Sequence, residues 1–223
     1  MLNQNAVLIF TKAPYTGQVK TRLIPAIGER AATDLYIELL EREVEWIRSH
    51  TPYAVELWVT PNDKHPVLQQ LSLRHGLKLH LQQGSDLGER MGFATRQALT
   101  RYRQVVLLGV DCPALNADHL RQAFKWLSAG DDAVLGPAED GGYVLLGLKT
   151  YQQCLFSGHN WGRGDVAAST RHVFRRLCWR WQELPELWDL DRPDDLKRLR
   201  DLDAYALPSD FEVELGLDSP DGP

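Results

Sequence analysis

The run Ala6–Phe10 (AVLIF) is a continuous stretch of apolar residues with no polar face. A strand of that kind needs cover on both sides, which in practice means a central position in a largely parallel sheet. The rest of the chain supplies the cover. A helical segment from about Glu29 to His50 carries Leu35, Leu39, Val44 and Ile47 at helical spacing, with Glu and Arg on its other face. Ala54–Val59 alternates like a strand, and Leu77–Leu81 is a weaker one. Arg90–Tyr102 reads as helix and Val105–Leu108 (VVLL) as a second buried strand. Asn116 is placed to cap a helix running to about Leu127. Ala133–Leu135 and Tyr143–Leu148 are strands joined by a Gly-containing turn too short for a helical crossover, so this pair is antiparallel and the sheet mixed. Asp165–Leu177 is helical, Trp179–Trp181 extended, and a last helix runs from about Pro193 to Leu202 with Pro and acidic residues in its first turn. The alternation specifies an α/β fold, a Rossmann-like αβα sandwich with a mixed, mostly parallel sheet. One domain over residues 1–206 is expected, followed by an acidic, proline-containing tail over 207–223.

Composition narrows the function. The chain has 223 residues, 43% of them hydrophobic, and a formal net charge of −5. That balance, with no Lys/Arg-rich run, argues against a nucleic-acid partner. The three cysteines, Cys112, Cys154 and Cys178, form no CxxC pair, so neither a disulfide framework nor a structural zinc site is indicated. There is no basic leader and no membrane-spanning apolar stretch, and a cytoplasmic location is expected.

Every polar cluster of note follows a strand, and in open α/β sheets ligands bind at the carboxyl ends of strands. After the first strand, Lys12, Lys20 and Arg22 place three cations around Gly17 in a chain that is otherwise acidic. A diphosphate suits such a loop, although a solvated basic loop has the same composition. Neither the Walker A pattern nor GxGxxG is present. Gly84, Asp86 and Arg90, in GSDLGERM, mark a helix start where a base or ribose could approach backbone; a plain turn with an Asp cap reads the same way. Asp111, in LLGVDCPAL, ends a buried strand as a carboxylate suited to Mg²⁺ or Mn²⁺. Cys112 beside it has no adjacent base and reads as a small filler. Asp140, in GPAEDGGY, is placed to bind hydroxyls or to act as a general base. Asp189 and Asp191, in WDLDRPDDL, share a side if extended, with Asp191 the candidate second metal carboxylate.

Taken in order, FTKAPYTGQVKTRL, GSDLGERM, LLGVDCPAL, GPAEDGGYVLLGL, NWGRGDV and WDLDRPDDL resemble the small bacterial GT-A-type enzymes of the nucleotide-diphospho-sugar transferase superfamily, in the branch of arsenosugar-biosynthesis-type glycosyltransferases. The resemblance implies a nucleotide-binding loop at Lys12, Ala13, Gly17, Lys20 and Arg22, and metal binding by Asp111 and Asp191. It also implies an acceptor side formed by Asp140 and residues 160–165. The expected partners are a nucleotide sugar or nucleoside triphosphate and a small-molecule acceptor. Asp111-Cys112-Pro113 departs from the DxD motif of many glycosyltransferases and keeps nucleotidyl transfer open as the alternative. A nucleotide-sensing module without turnover is a third reading.

Overall fold

The apolar run does become the middle of a sheet. In the computed structural model, which describes residues 5–159, 161, 164–200 and 202, strand β1 (Asn5–Lys12) pairs in parallel with β2 (Ala54–Thr60) on one side and with β4 (Gln104–Gly109) on the other. Strand β3 (Lys78–Leu81) extends the sheet beyond β2. On the far side, β6 (Tyr143–Leu148) runs antiparallel to both β4 and β5 (Ala133–Pro137), and β7 (Trp181–Glu183) is parallel to β5. The order is β3-β2-β1-β4-β6-β5-β7. β6 alone among these runs against the others, because the turn between β5 and β6 has no room for a crossover.

Alternate residues of β1 face opposite cores. Val7 and Ile9 join a cluster with Tyr36, Leu40, Val44 and Ile47 of α1 (Ile24–His50), Leu68 and Leu71 of α2 (Pro66–His75), and Leu120, Phe124 and Leu127 of α4 (Ala117–Ser128). Ala6 and Leu8 join Met91, Ala94 and Ala98 of α3 (Leu87–Ala98), with Val173 and Phe174 of α5 (Val166–Arg176). Each fully buried Leu or Phe in these layers contributes about 1.5–3 kcal/mol of transfer free energy. A third cluster joins Leu23, Ile27, Leu35 and Leu39 to Trp188 and Leu190, and to Leu196 and Leu199 of α6 (Pro193–Arg200).

Several boundaries differ from the sequence reading. Helix α1 starts at Ile24, not Glu29, and Gly28 interrupts it with φ 77° and ψ 163°. Helix α2 was not anticipated, since it buries only Leu68 and Leu71. α3 covers Leu87–Ala98 rather than Arg90–Tyr102, because Asp86 caps it earlier. The extended segment after α5 lies at Trp181–Glu183 rather than Trp179–Trp181. The boundary at residue 206 and the tail 207–223 lie outside the described residues. No helix among the described residues is long and apolar enough to cross a membrane.

Strands β1 to β3 are laid down outward on one side, and the chain then restarts at β4 on the other side of β1. The gap between the carboxyl ends of β1 and β4 is therefore the topological switch point, where α/β sheets bind ligands.

Candidate active site

The loop leaving β1 is folded tightly over this gap. Its entry is fixed by the Ala13 N–H donating to the Thr60 carbonyl at 2.7 Å, and its turn by the Gln18 N–H donating to Tyr15 at 3.0 Å. Lys20 has φ 47°, a left-handed conformation that non-glycine residues seldom adopt. The Lys20 side chain is only 4% exposed; its Nζ pairs with the Asp111 carboxylate just beyond β4 and donates to the Leu190 carbonyl at 2.5 Å. Arg22, further along and open to solvent, pairs with Asp191. The Leu190 N–H donates to the Asp111 carbonyl at 2.7 Å, so the β4 exit and the 187–191 segment are also joined through backbone. Tyr36, from α1, closes the floor: its hydroxyl bonds Thr11 Oγ1 and accepts the Lys12 N–H, each at 2.8 Å.

These groups border a cavity of about 670 Å³, well within the range of small-molecule sites. Of the residues singled out from sequence, Lys12, Lys20, Arg22, Arg90, Asp111, Asp140 and Asp191 line it, together with Asp189. Ala13, Gly17, Gly84 and Asp86 are not in its lining. Ala13 is buried in the core beneath the loop. Gly17 adopts φ 77° at the turn, beside the Glu29 carboxylate. Gly84 lies so near α3 that a Cβ there would sit 2.5 Å from that of Glu89. Asp86 caps α3 by accepting the Glu89 N–H at 2.8 Å, while Glu89 takes the Ser85 N–H and hydroxyl in return. Arg90 Nε donates to the Gly84 carbonyl at 3.1 Å and so borders the cavity from this helix start. Asn160, Gly162 and Arg163, expected on the acceptor side, lie outside the described residues.

Three cavity residues carry no clear signal in the sequence, and a fourth, Trp161, falls in the 160–165 segment expected on the acceptor side. Tyr36 and Tyr143 look like core aromatics. Gln82 sits just after β3 and donates its amide to the carbonyls of Trp58 (2.9 Å) and Thr11 (3.2 Å), tying the three strand ends together. Trp161 meets Tyr143 edge to face, with ring centroids 6.4 Å apart. All four line the cavity.

The electrostatics centre on Asp189. Burial and then the charges of Asp111 and Asp140 push its carboxyl up to about 7, with Lys20 pulling the other way. Burial likewise pushes the Cys112 thiol up to about 12, in keeping with an inert filler. Among the described residues no three His, Cys, Asp or Glu side chains gather at metal-ligating spacing. Mg²⁺ does not require such a cage: it takes one or two carboxylates and completes its octahedron with water and substrate phosphates. Asp111, with the crowded carboxylates of the 187–191 segment beside it, is a donor set that fits such an ion.

Solved structures share this architecture. A protein of Desulfovibrio desulfuricans G20, provisionally described as a nucleotide-diphospho-sugar transferase, is 29% identical over 96% of this chain and 95% of its own, with a TM-score of 0.84. The 4-diphosphocytidyl-2C-methyl-D-erythritol synthase of Anaerococcus prevotii DSM 20548 is 9% identical over 88% of this chain and 94% of its own, with a TM-score of 0.59. Glucosyl-3-phosphoglycerate synthase of Mycobacterium tuberculosis, solved with Mn²⁺, UDP and glucosyl-3-phosphoglycerate, is 10% identical over 98% of this chain and 82% of its own, with a TM-score of 0.52. The last two, at such low identity, show the fold alone. No curated protein sequence matches. Residues 44–163, more than half of the sequence and spanning β2 to Trp161, match the family described as uncharacterized protein conserved in bacteria, DUF2064, and the chain belongs to that family.

Proposed function

We propose that this protein is a metal-dependent glycosyltransferase that takes a nucleotide sugar and passes its glycosyl group to a hydroxyl of a small acceptor. The observation that carries the reading is the meeting of the cationic β1 loop with Asp111 at the switch point, seen in the Lys20–Asp111 and Arg22–Asp191 pairs. In these pairs each group neutralises the other. A donor diphosphate would take over the cations, and a divalent ion the carboxylates. The nucleotide-diphospho-sugar transferase description of the D. desulfuricans protein supports the same substrate class.

In this reading Lys12, Lys20 and Arg22 bind the diphosphate, on a loop shaped by Ala13 and Gly17. The helix start shaped by Gly84 and Asp86 borders the nucleoside through Arg90. Asp111 and Asp191 hold Mg²⁺ or Mn²⁺, which when bound supplies Lewis-acid neutralisation of the departing diphosphate. Asp140, at the mouth of the β5–β6 turn, orients the acceptor hydroxyl and takes its proton. A cytoplasmic location, a single domain over 1–206 and membership of the arsenosugar-biosynthesis branch belong to the same proposal.

One observation favours a second reading. The β4 exit offers a single carboxylate, and its acidic companions come from the distant 187–191 segment, an arrangement equally suited to nucleotidyl transfer onto a small phosphorylated acceptor with loss of pyrophosphate. A thermal-shift screen of nucleoside di- and triphosphates and nucleotide sugars, with and without Mn²⁺, tests both. The expected result is stabilisation by a nucleotide sugar that grows when Mn²⁺ is added; no shift with any compound sinks the transferase reading. Product analysis then separates the two: nucleoside diphosphate from the nucleotide sugar, or pyrophosphate from the triphosphate. Binding without either product identifies a sensing module.

A further inference from the structure

Asp140, Asp189 and Asp191 reach the cavity from two loops that are not contiguous in sequence, the β5–β6 turn and the segment before α6, while Asp111 comes from the β4 exit. Their spacing depends on how those loops are held together. Backbone supplies part of the answer: Leu187 bridges Ala138 in parallel, the Glu139 N–H donates to the Leu187 carbonyl at 2.9 Å, and the Leu187 N–H donates to the Pro137 carbonyl at 3.0 Å.

Side-chain direction alternates in both. Trp188 and Leu190 enter the third apolar cluster, whereas Asp189 and Asp191 line the cavity. Asp140 lines the cavity, whereas its neighbour Glu139 faces α6. One side chain meets both Glu139 and Trp188, which face away from the cavity. Arg198 of α6 donates Nη1 to Glu139 Oε2 at 2.7 Å and Nη2 to Glu139 Oε1 at 2.8 Å, while its guanidinium carbon lies 4.5 Å from the centroid of the Trp188 ring. The planar fork satisfies a carboxylate bidentately and stacks on an indole at once, which a lysine cannot do.

We propose that Arg198 is a positioning residue of the site: it clamps Glu139 and Trp188 from behind and thereby sets the separation of Asp140 from Asp189 and Asp191. Arg198 itself does not line the cavity. The bidentate fork stacked on Trp188 joins the two loops more firmly than a lone half-exposed ion pair would. Catalytic carboxylates lose activity when displaced by as little as about 1 Å. The catalytic consequence rests on the transferase reading above; the clamp does not.

The test therefore has two arms, on the full chain. In the first, backbone amide exchange is compared between wild type, Arg198→Met and Arg198→Lys. Exchange in residues 138–142 and 187–191 is expected to accelerate about tenfold or more in Arg198→Met, with less relief of protection in Arg198→Lys and no change in β1 and β4. Glu139→Gln should reproduce the effect in the turn, and the double variant should exceed neither single one. Unchanged exchange in both loops overturns the proposal. So does a uniform rise across the sheet, which marks a general loss of stability. In the second arm, Arg198→Met should lower nucleoside diphosphate release about tenfold, while the Kd for Mn²⁺-nucleoside diphosphate stays within about twofold. It should lower release no further in an Asp140→Asn background; multiplicative losses there overturn the coupling to Asp140. If wild type releases neither nucleoside diphosphate nor pyrophosphate, the functional reading fails while the exchange arm still decides the clamp.

Discussion

Lys20 is the residue on which the site turns, because it is a nearly buried cation whose partners are one carboxylate and one backbone carbonyl. Replacing it with Met removes a charge-assisted contact to the donor diphosphate, worth about 1.5–3 kcal/mol. The expected outcome is a Kd for the nucleoside diphosphate at least about tenfold weaker by calorimetry; unchanged affinity removes the loop from the site. Asp111→Asn makes the complementary test. An amide oxygen still accepts from Lys20, so the fold should survive with a Tm within a few degrees of wild type. The extra stabilisation that Mn²⁺ confers on the nucleotide complex should vanish, since a neutral amide is a poor ligand for a hard divalent ion. A variant that keeps the full metal-dependent shift rules Asp111 out as a ligand. Asp111 could be read from sequence because it lies two residues past a strand end, and Lys20 and Arg22 because the loop that carries them leaves the end of β1, where position implies the rim. Asp189 was visible only as the partner of Asp191, since burial and the nearness of Asp111 and Asp140, which give it its unusual carboxyl, arise from chain segments far away in sequence. Tyr36 was illegible for a related reason: on a helix it has the spacing of a core residue, and only the packing of α1 beneath the β1 exit brings its hydroxyl to Lys12.

At the scale of elements, α1 carries a polar group that its position penalises. Glu43 is buried on the core-facing side of the helix; one carboxylate oxygen accepts the Trp46 indole N–H at 3.0 Å, and the other has no partner. Burial pushes its carboxyl up to about 8 from an ordinary 4.5, against the opposing pull of the Trp46 bond. The folded state thus holds a proton that the unfolded chain has released. The associated stability is complete below about pH 4.5 and is lost as pH rises through about 8. Glu43→Gln keeps an acceptor for Trp46 and removes the titration, so its advantage over wild type should grow across that window to about 2 kcal/mol or more at about pH 9. Denaturant unfolding at acid, neutral and alkaline pH would show this; an advantage independent of pH excludes Glu43 as the source. The elements that could be read in advance were those whose signal is local. β1 and β4 are built on apolar runs, and α4 is capped by Asn116, whose side chain takes the Asp118 and His119 N–H groups. Helix α2 lacks a periodic stripe long enough to register, although Pro66 at its start and Gly76 at its left-handed end are ordinary boundary residues. The early start of α1 was hidden by Gly28, which breaks the helical path within a stretch whose apolar residues pack against α6.

For the whole molecule, the sign of charge seen by a ligand depends on range. The chain carries a formal charge of −5, so a diphosphate approaching from afar meets net repulsion, whereas inside the cavity it meets Lys12, Lys20, Arg22 and Arg90 among the carboxylates of Asp111, Asp140, Asp189 and Asp191. Salt distinguishes the two fields. The Debye length is about 10 Å at 0.1 M and about 3 Å at 1 M, so raising ionic strength weakens both, and the net effect on affinity has the sign of whichever dominates the bound state. If long-range repulsion governs, added salt tightens binding; if the four cavity cations govern, added salt loosens it. In the proposed site Lys12, Lys20, Arg22 and Arg90 contact the diphosphate directly, and contacts at that range outweigh a net charge acting over longer distances. The Kd for a nucleoside diphosphate without metal should therefore rise several-fold between about 0.02 and about 0.5 M NaCl. Lys20→Met should flatten that slope, as one fewer cation is screened. With the metal present the slope should flatten as well, because a divalent ion coordinated directly to phosphate is screened far less than a hydrogen-bonded side chain at the cavity mouth. A slope of the opposite sign would mean that the loop cations stay committed to Asp111 and Asp191 when ligand binds, and the exchange of partners on which the proposed site depends would not occur.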